Sequence, residues 1–310
     1  MTKSGITIKA LASPIFALAL CVTAQAQTRV FVSGVGSDVN PCSRTAPCRT
    51  FQQAHNVVSA GGEVVTLDSA GYGPLTITKS VSIIGDGVYA GISTSSGNGI
   101  NIATAGITVI LRSLTIEGLG SGTYGINASD FTVLHIENCV VNGFVSDGIV
   151  VQPLTTGTRK AFIKNCISRN NGNLGIRLNN GFNVSGTPLE ARVDGTRAGN
   201  NVGVGIMSNG TGAKVTASSC LSSGNNDAGF WSGSGGVLNI ESSVASTNGA
   251  EGVVSSAGTV RVSNSMVTNN TLQGFRNIGG IFESRGNNTV EGNNPGGNQV
   301  DGGITPITGT

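Results

Sequence analysis

Between residues 125 and 275 a glycine followed by an apolar residue returns seven times: Gly125-Ile126, Gly148-Ile149, Gly175-Ile176, Gly205-Ile206, Gly229-Phe230, Gly252-Val253 and Gly274-Phe275. The steps between successive glycines are 23, 27, 30, 24, 23 and 22 residues. A period in the twenties marks a solenoid, in which each repeat is a coil that buries its apolar side against its neighbours. Few other sequence features constrain a fold so tightly.

Alignment on the glycines deepens the pattern. Nine residues earlier stand Ile116, Cys139, Cys166, Thr196, Cys220, Ser243 and Ser265, nearly all small. Four residues earlier stand Asn171, Asn201, Asn225, Asn248 and Asn270, one in each of five consecutive repeats. Twelve earlier come Ile136, Ile163, Val193, Ala217, Ile240 and Val262. Coils stacked in register, about 4.8 Å apart, bring each residue against its equivalent, so like side chains recur.

The apolar runs are short and β-branched, as in Ala161-Phe162-Ile163 and Thr259-Val260-Arg261-Val262, with Gly, Asn and Ser between them. Helical repeats need longer runs at a 3.6-residue period, and a leucine-rich repeat needs a dense Leu pattern; both are absent. Several short strands per coil, at about 3.3 Å per residue, make one three-sided turn. The expected class is all-β, a right-handed parallel β-helix solenoid. On these residues the chain resembles the pectate-lyase-like (pectin lyase fold) superfamily over most of residues 28–290. The runs Gly61-Gly62-Glu63-Val64-Val65-Thr66-Leu67, Tyr72-Gly73-Pro74-Leu75-Thr76-Ile77 and Val81-Ser82-Ile83-Ile84-Gly85-Asp86-Gly87 look like the opening rungs of such proteins. Lyases, esterases and non-enzymes share that opening, so it implies a half-coil and no chemistry.

Composition fits stacked parallel strands: 48 glycines, 11% charged and 5% aromatic residues. A solenoid grows by adding coils, so the length does not call for two domains. The net charge is +2 and the basic residues are scattered, which argues against a nucleic-acid partner.

Taken in order, residues 1–26 carry Lys3 and Lys9, an apolar core from Ala10 to Val22, and Ala24-Gln25-Ala26. This is the pattern of a signal peptide cleaved after Ala26, with an apolar core short of the roughly 20 residues a membrane span needs. The expected product is secreted or periplasmic. Residues 27–62 should hold a first strand at Arg29-Val30-Phe31-Val32, a loop closed by a Cys42–Cys48 disulfide, and a capping helix. Thr50-Phe51-Gln52-Gln53 reads as a capping box, with Phe51, Ala54 and Val58 on one helix face ending near Ser59. That helix would cover the open apolar end of the first coil, with His55 a surface or packing residue. Residues 63–294 form the expected β-helix and residues 295–310 a C-terminal tail. Two insertions, 153–160 and 179–190, follow equivalent strands and should leave one corner side by side.

Three groups of side chains are candidates for function. The asparagine column is either a polar ligand track or, as the cross-β stack favours, a structural ladder of amides. Cys139 and Cys166 lie one rung apart and Cys220 two rungs further, either near enough to pair or simply filling the interior. Outside, Glu137, Lys164 and Asp194 occupy consecutive rungs with Glu241 beyond, as a surface salt-bridge ladder or as the lining of a saccharide groove. Two residues after the glycines, Arg177, Met207 and Trp231 stack on successive rungs. Trp231 would either stack on a sugar ring or lie under the 179–190 insertion.

The resemblance implies possible polysaccharide lyase or glycoside hydrolase chemistry, for which Glu137, Lys164, Asp194 or Arg177 would be the residues. Hydrolases need paired carboxylates. The Asn-Thr-Asp, Asp-Asp and Gly-His-Gly pattern of polygalacturonases and the Asp-Pro-His-Asp of alginate epimerases are absent. No Asp-rich cluster suggests calcium, which only the lyase alternative would require, and no metal or cofactor is expected otherwise. The expectation is therefore an exported β-helix protein presenting an elongated surface to a polysaccharide or cell-surface ligand. The alternatives are a lyase or hydrolase and an adhesin-like structural protein.

Overall fold

The computed structural model describes residues 27–180 and 188–307. The expected signal peptide therefore lies outside the described residues, as does most of the second insertion. Three parallel sheets of 12, 10 and 10 strands run the length of the molecule, each strand paired with its equivalents one coil away. One coil runs through Val133–Glu137 in sheet 1, Val140–Asn142 in sheet 2 and Ile149–Val151 in sheet 3. The next repeats it as Arg159–Lys164, Ile167–Arg169 and Ile176–Asn179. Register is kept throughout: Ile136 faces Ile163, Val141 faces Ser168 and Ile149 faces Ile176. The chain is an all-β parallel solenoid.

Side-chain alternation builds the core. In Arg159–Lys164 the residues Ala161 and Ile163 turn inward while Lys160, Phe162 and Lys164 stay exposed. Between sheets 1 and 2 each coil turns on one left-handed residue: Asn138 (φ 53°), Asn165 (52°), Gly195 (56°), Ser219 (53°), Ser242 (50°) and Asn264 (52°). That region is costly for most side chains and open to Gly and Asn, which explains why those residues gather at the corner.

The asparagine column lies inside, one residue past a second left-handed corner. Asn171 Nδ2 donates to Asn201 Oδ1 at 2.9 Å, Asn201 to Asn225 at 2.9 Å, Asn225 to Asn248 at 3.0 Å and Asn248 to Asn270 at 2.8 Å. Each Oδ1 also accepts the backbone N–H of the preceding asparagine. Two features of this ladder escape the repeat pattern. Asn270 passes the bond on to Asn293 at 2.8 Å, and Gln299 Oε1 closes the end by accepting from Asn293. At the other end Phe144 takes the column's place, its backbone N–H donating to Asn171 Oδ1 at 3.2 Å.

Cys139, Cys166 and Cys220 are buried free thiols. Their column forms a second internal ladder, in which the Cys166 N–H donates to Thr196 Oγ1 and the Cys220 N–H to Ser243 Oγ. Burial pushes the Cys139 thiol up and the Cys220 thiol up to about 11.

The N-terminal end is closed by a strand and a helix. Gln27–Val32 adds to sheet 1 beside Val58–Thr66, and the Cys42–Cys48 disulfide holds the intervening loop with Cα atoms 4.6 Å apart. The helix, Phe51–Val57, stops two residues short of the expected end because Val58 is taken into the sheet. Thr50 caps it by accepting the Gln53 N–H at 3.2 Å. The Thr50 N–H donates to Asp38 Oδ1 at 2.9 Å, a partner the capping-box reading did not contain. His55 is buried, and its Nε2 accepts the Thr78 N–H at 3.2 Å. No helix among the described residues is long and apolar enough to cross a membrane. At the other end the sheets run past residue 294: Val300–Asp301 joins sheet 3 and Thr305–Ile307 joins sheet 1. Pro306 sits on that last edge, where a missing N–H breaks no ladder bond.

Candidate functional site

Two outward faces carry the candidate residues. On sheet 1, Glu137 pairs in register with Lys164 and Lys164 with Asp194, so the three stand on consecutive rungs. Arg112 precedes them, extending the alternation of sign by one rung. The charges do not form the expected salt-bridge ladder: among the described residues no ion pair joins Lys164 to either acid. Glu137 instead lies 3.8 Å from His135 Nδ1, and Asp194 accepts from Ser218 Oγ at 2.9 Å. Beside them the His135 and Phe162 rings stack with centroids 4.8 Å apart. Phe162, Lys164, Arg192 and Asp194 line a hollow of about 330 Å³.

On sheet 3, Arg177, Met207 and Trp231 are also in register on consecutive rungs, followed by Val254 and Arg276. A second column runs alongside, one residue before each marker glycine: Asp147, Leu174, Val204, Ala228 and Glu251. Leu174, Val204, Ala228 and Val254 form an apolar cluster separate from the solenoid core, with Met207 and Trp231 packed over it. Leu174, Val204, Met207 and Trp231 make the floor of a groove of about 340 Å³, whose rim includes Asn173, Arg177, Asn179, Asn209 and Asp227. Trp231 is thus half-buried on its own apolar bed. Gly233 makes room for it: a Cβ there would stand 3.0 Å from the indole Nε1 and 2.8 Å from Asn209 Oδ1.

The patch is closed at both ends in the same way. Arg177 Nη2 lies 2.6 Å from Asp147 Oδ2, and Arg276 Nη1 pairs with Glu251 Oε1. Asp147 is fully shielded and Glu251 nearly so. Burial moves the Asp147 carboxyl up from the ordinary range, outweighing the Leu174 amide and Arg177. The Glu251 partner holds the Arg276 guanidinium more firmly protonated.

Asp147, Glu251 and Arg276 are the residues that sequence reasoning missed. In both pairs the acid precedes one coil's glycine and the arginine follows the next, so the separation is one coil length plus a constant. Because coil length varies, the spacing differs between the pairs and the relation is visible only after alignment.

Both insertions leave the corner between sheets 3 and 1, after Ile149–Val151 and Ile176–Asn179. The first is tied down by a buried pair that the sequence did not reveal. Arg159 Nη2 and Nε donate to Asp130 Oδ1 at 2.8 and 3.0 Å, and Thr155 Oγ1 donates to Asp130 Oδ2 at 2.6 Å. Among the described residues no three His, Cys, Asp or Glu side chains gather as metal ligands.

Solved structures with the same fold include pectate lyase Pel9A and a rhamnogalacturonan lyase. The first superposes with a TM-score of 0.51 at 17% identity, covering 87% of this chain and 72% of the lyase. The second gives 0.53 at 14% identity, covering 87% of this chain and 88% of its own. At such identities the likeness is one of fold, and it agrees with the superfamily resemblance of the sequence. No family model matches the chain, and no curated protein matches it.

Proposed function

We propose that the protein binds a polysaccharide along the outer face of sheet 3, with Trp231 as the stacking platform. The observation that carries this reading is the groove itself, which gathers Arg177, Met207 and Trp231 over an apolar bed and rims it with asparagine side chains. A sugar ring has an apolar face and a polar edge, and an indole beside planar amides meets both. Register stacking extends the surface along the solenoid axis, a geometry suited to a chain ligand. The Cys42–Cys48 disulfide and the leader-like residues 1–26 support action outside the cytoplasm, where extracellular glycans are met.

The test is binding of the purified protein to immobilised and soluble polysaccharides, comparing wild type with Trp231→Ala. Retention of a glycan by wild type and its loss in the variant, with unchanged melting temperature, is the expected result. Equal retention by both would place binding elsewhere.

A lyase acting from sheet 1 is the second reading, supported by Lys164 and Asp194 lining the Phe162 hollow in register with each other and with Glu137 one rung back. Glu137 and Asp194 are two rungs apart with Lys164 between them, which does not make the facing carboxylate pair of a hydrolase. Release of unsaturated product from a uronate polymer, abolished by Lys164→Ala, would favour this reading over the first.

A further inference from the structure

We infer that the sheet 3 groove selects uncharged glycan chains and turns away polyuronates. This rests on the saccharide reading of the same groove and specifies its ligand class. A polyuronate carries a carboxylate on every residue, so a groove that holds one must offer uncommitted cations. The sheet 3 groove offers none among its described residues. Arg177 is the only basic residue lining it, and its Nη2 is held 2.6 Å from Asp147 Oδ2. Drawing Arg177 away toward a ligand would leave a fully buried carboxylate uncompensated, which costs far more than an exposed pair. Arg276, beyond the far end of the apolar patch, is likewise engaged by the nearly buried Glu251, and its Nε lies 3.7 Å from Asp301.

What remains on the rim is neutral or negative. Asn173 and Asn209 present amides, and Asp227 adds a carboxylate whose Oδ1 accepts the Ala228 N–H at 2.8 Å. The field at the groove mouth therefore repels an anionic chain, while stacking on Trp231 and hydrogen bonding to amides need no charge on the ligand. Exposed cations stand instead on sheet 1, at Lys160, Lys164, Arg192 and Lys214, and on sheet 2, at Arg169 and Arg197. The two faces thus differ in the charge they can accept.

The experiment compares xylohexaose and cellohexaose with hexagalacturonate by calorimetry, at low and at physiological salt, on wild type, Trp231→Ala and Asp147→Asn. Wild type should bind a neutral hexasaccharide with an affinity that salt leaves unchanged, and hexagalacturonate at least about tenfold more weakly. Trp231→Ala should lose the neutral ligand. Asp147→Asn, which frees the Arg177 guanidinium, should narrow the gap by gaining salt-sensitive binding of hexagalacturonate. Trp231-dependent binding of hexagalacturonate by wild type, as tight as the neutral chains and weakened by salt, would overturn the inference while leaving the groove a saccharide site. Absence of Trp231-dependent binding to any of the three would overturn the saccharide reading and the inference with it. The wild-type comparison decides even where Asp147→Asn fails to fold.

Discussion

The Arg177 guanidinium lies 2.6 Å from the carboxylate of Asp147, a side chain shut off from solvent one coil back in the stack. Glu251 and Arg276 repeat the relation at the other end of the apolar patch. The two pairs act as end-posts for the surface on which Met207 and Trp231 lie. An arginine that looks like a ligand contact in the sequence is, in the fold, first a counter-ion.

The Asp147 carboxyl is shifted up by burial, which fixes the sign of its pH dependence. A group whose pKa is higher folded than unfolded contributes stability that is fully present below the unfolded value and is lost as pH climbs through the folded one. Asp147→Asn removes that titration. Its melting temperature should therefore rise relative to wild type as pH increases above the unfolded value, about pH 4. Thermal melts above that value check it; a difference moving the other way would mean the ion pair outweighs burial.

Asp68 has the opposite sign. The Ser33 hydroxyl at 2.5 Å and the Gly34 N–H at 2.7 Å hold its carboxyl below the usual range. Its contribution is present above the unfolded value, near pH 4, and lost as pH falls through the depressed folded value. Melting temperatures of Asp68→Asn should fall less steeply than wild type on the acid side. Parallel acid limbs would show that Asp68 does not tie the first strand to the solenoid.

The asparagine ladder should be energetically sensitive at its centre. Removing the Asn225 amide strands the buried Asn201 backbone N–H and takes one bond each from Asn201 Nδ2 and Asn248 Oδ1. Each unsatisfied buried group costs about 1–3 kcal/mol, so Asn225→Ala should lose at least that much in denaturant unfolding. A variant as stable as wild type would mean that water or a shifted backbone replaces the ladder.

Much of this was legible because in-register stacking writes space into sequence. The Asn171 to Asn270 ladder, the aliphatic column of Ile136 and Ile163, and the Arg177, Met207 and Trp231 row all recur at one offset from a glycine. Where the coil departs from its marker, the sequence falls silent. Asn293 continues the ladder, yet the chain reaches its next sheet 3 strand, Val300–Asp301, without a Gly-apolar step. Phe144 fills the ladder position with a different chemistry and breaks the column from the other side. Asp130–Arg159 and Asp147–Arg177 join rungs through side chains at different offsets, which alignment of like residues does not reveal.

The three buried cysteines of the internal column should be silent in the native protein. Cys139, Cys166 and Cys220 are buried; burial pushes the Cys139 thiol up and the Cys220 thiol up to about 11, while the hydrogen bond from Cys139 holds the Cys166 thiol lower, so Cys166 is silent through burial alone. A disulfide reagent should leave Cys139, Cys166 and Cys220 unlabelled before unfolding and label all three after it. Labelling under native conditions would show that the coils open at that corner.

Trp231 is the single tryptophan of the chain, so tryptophan emission reports on the groove and nowhere else. The most direct measurement is a titration of wild type with a glycan that it binds by calorimetry, following Trp231 emission in parallel. The account predicts a saturable change in intensity or wavelength with the same dissociation constant as the calorimetric one. Calorimetric binding with unaltered Trp231 emission would contradict it and move the saccharide site off sheet 3.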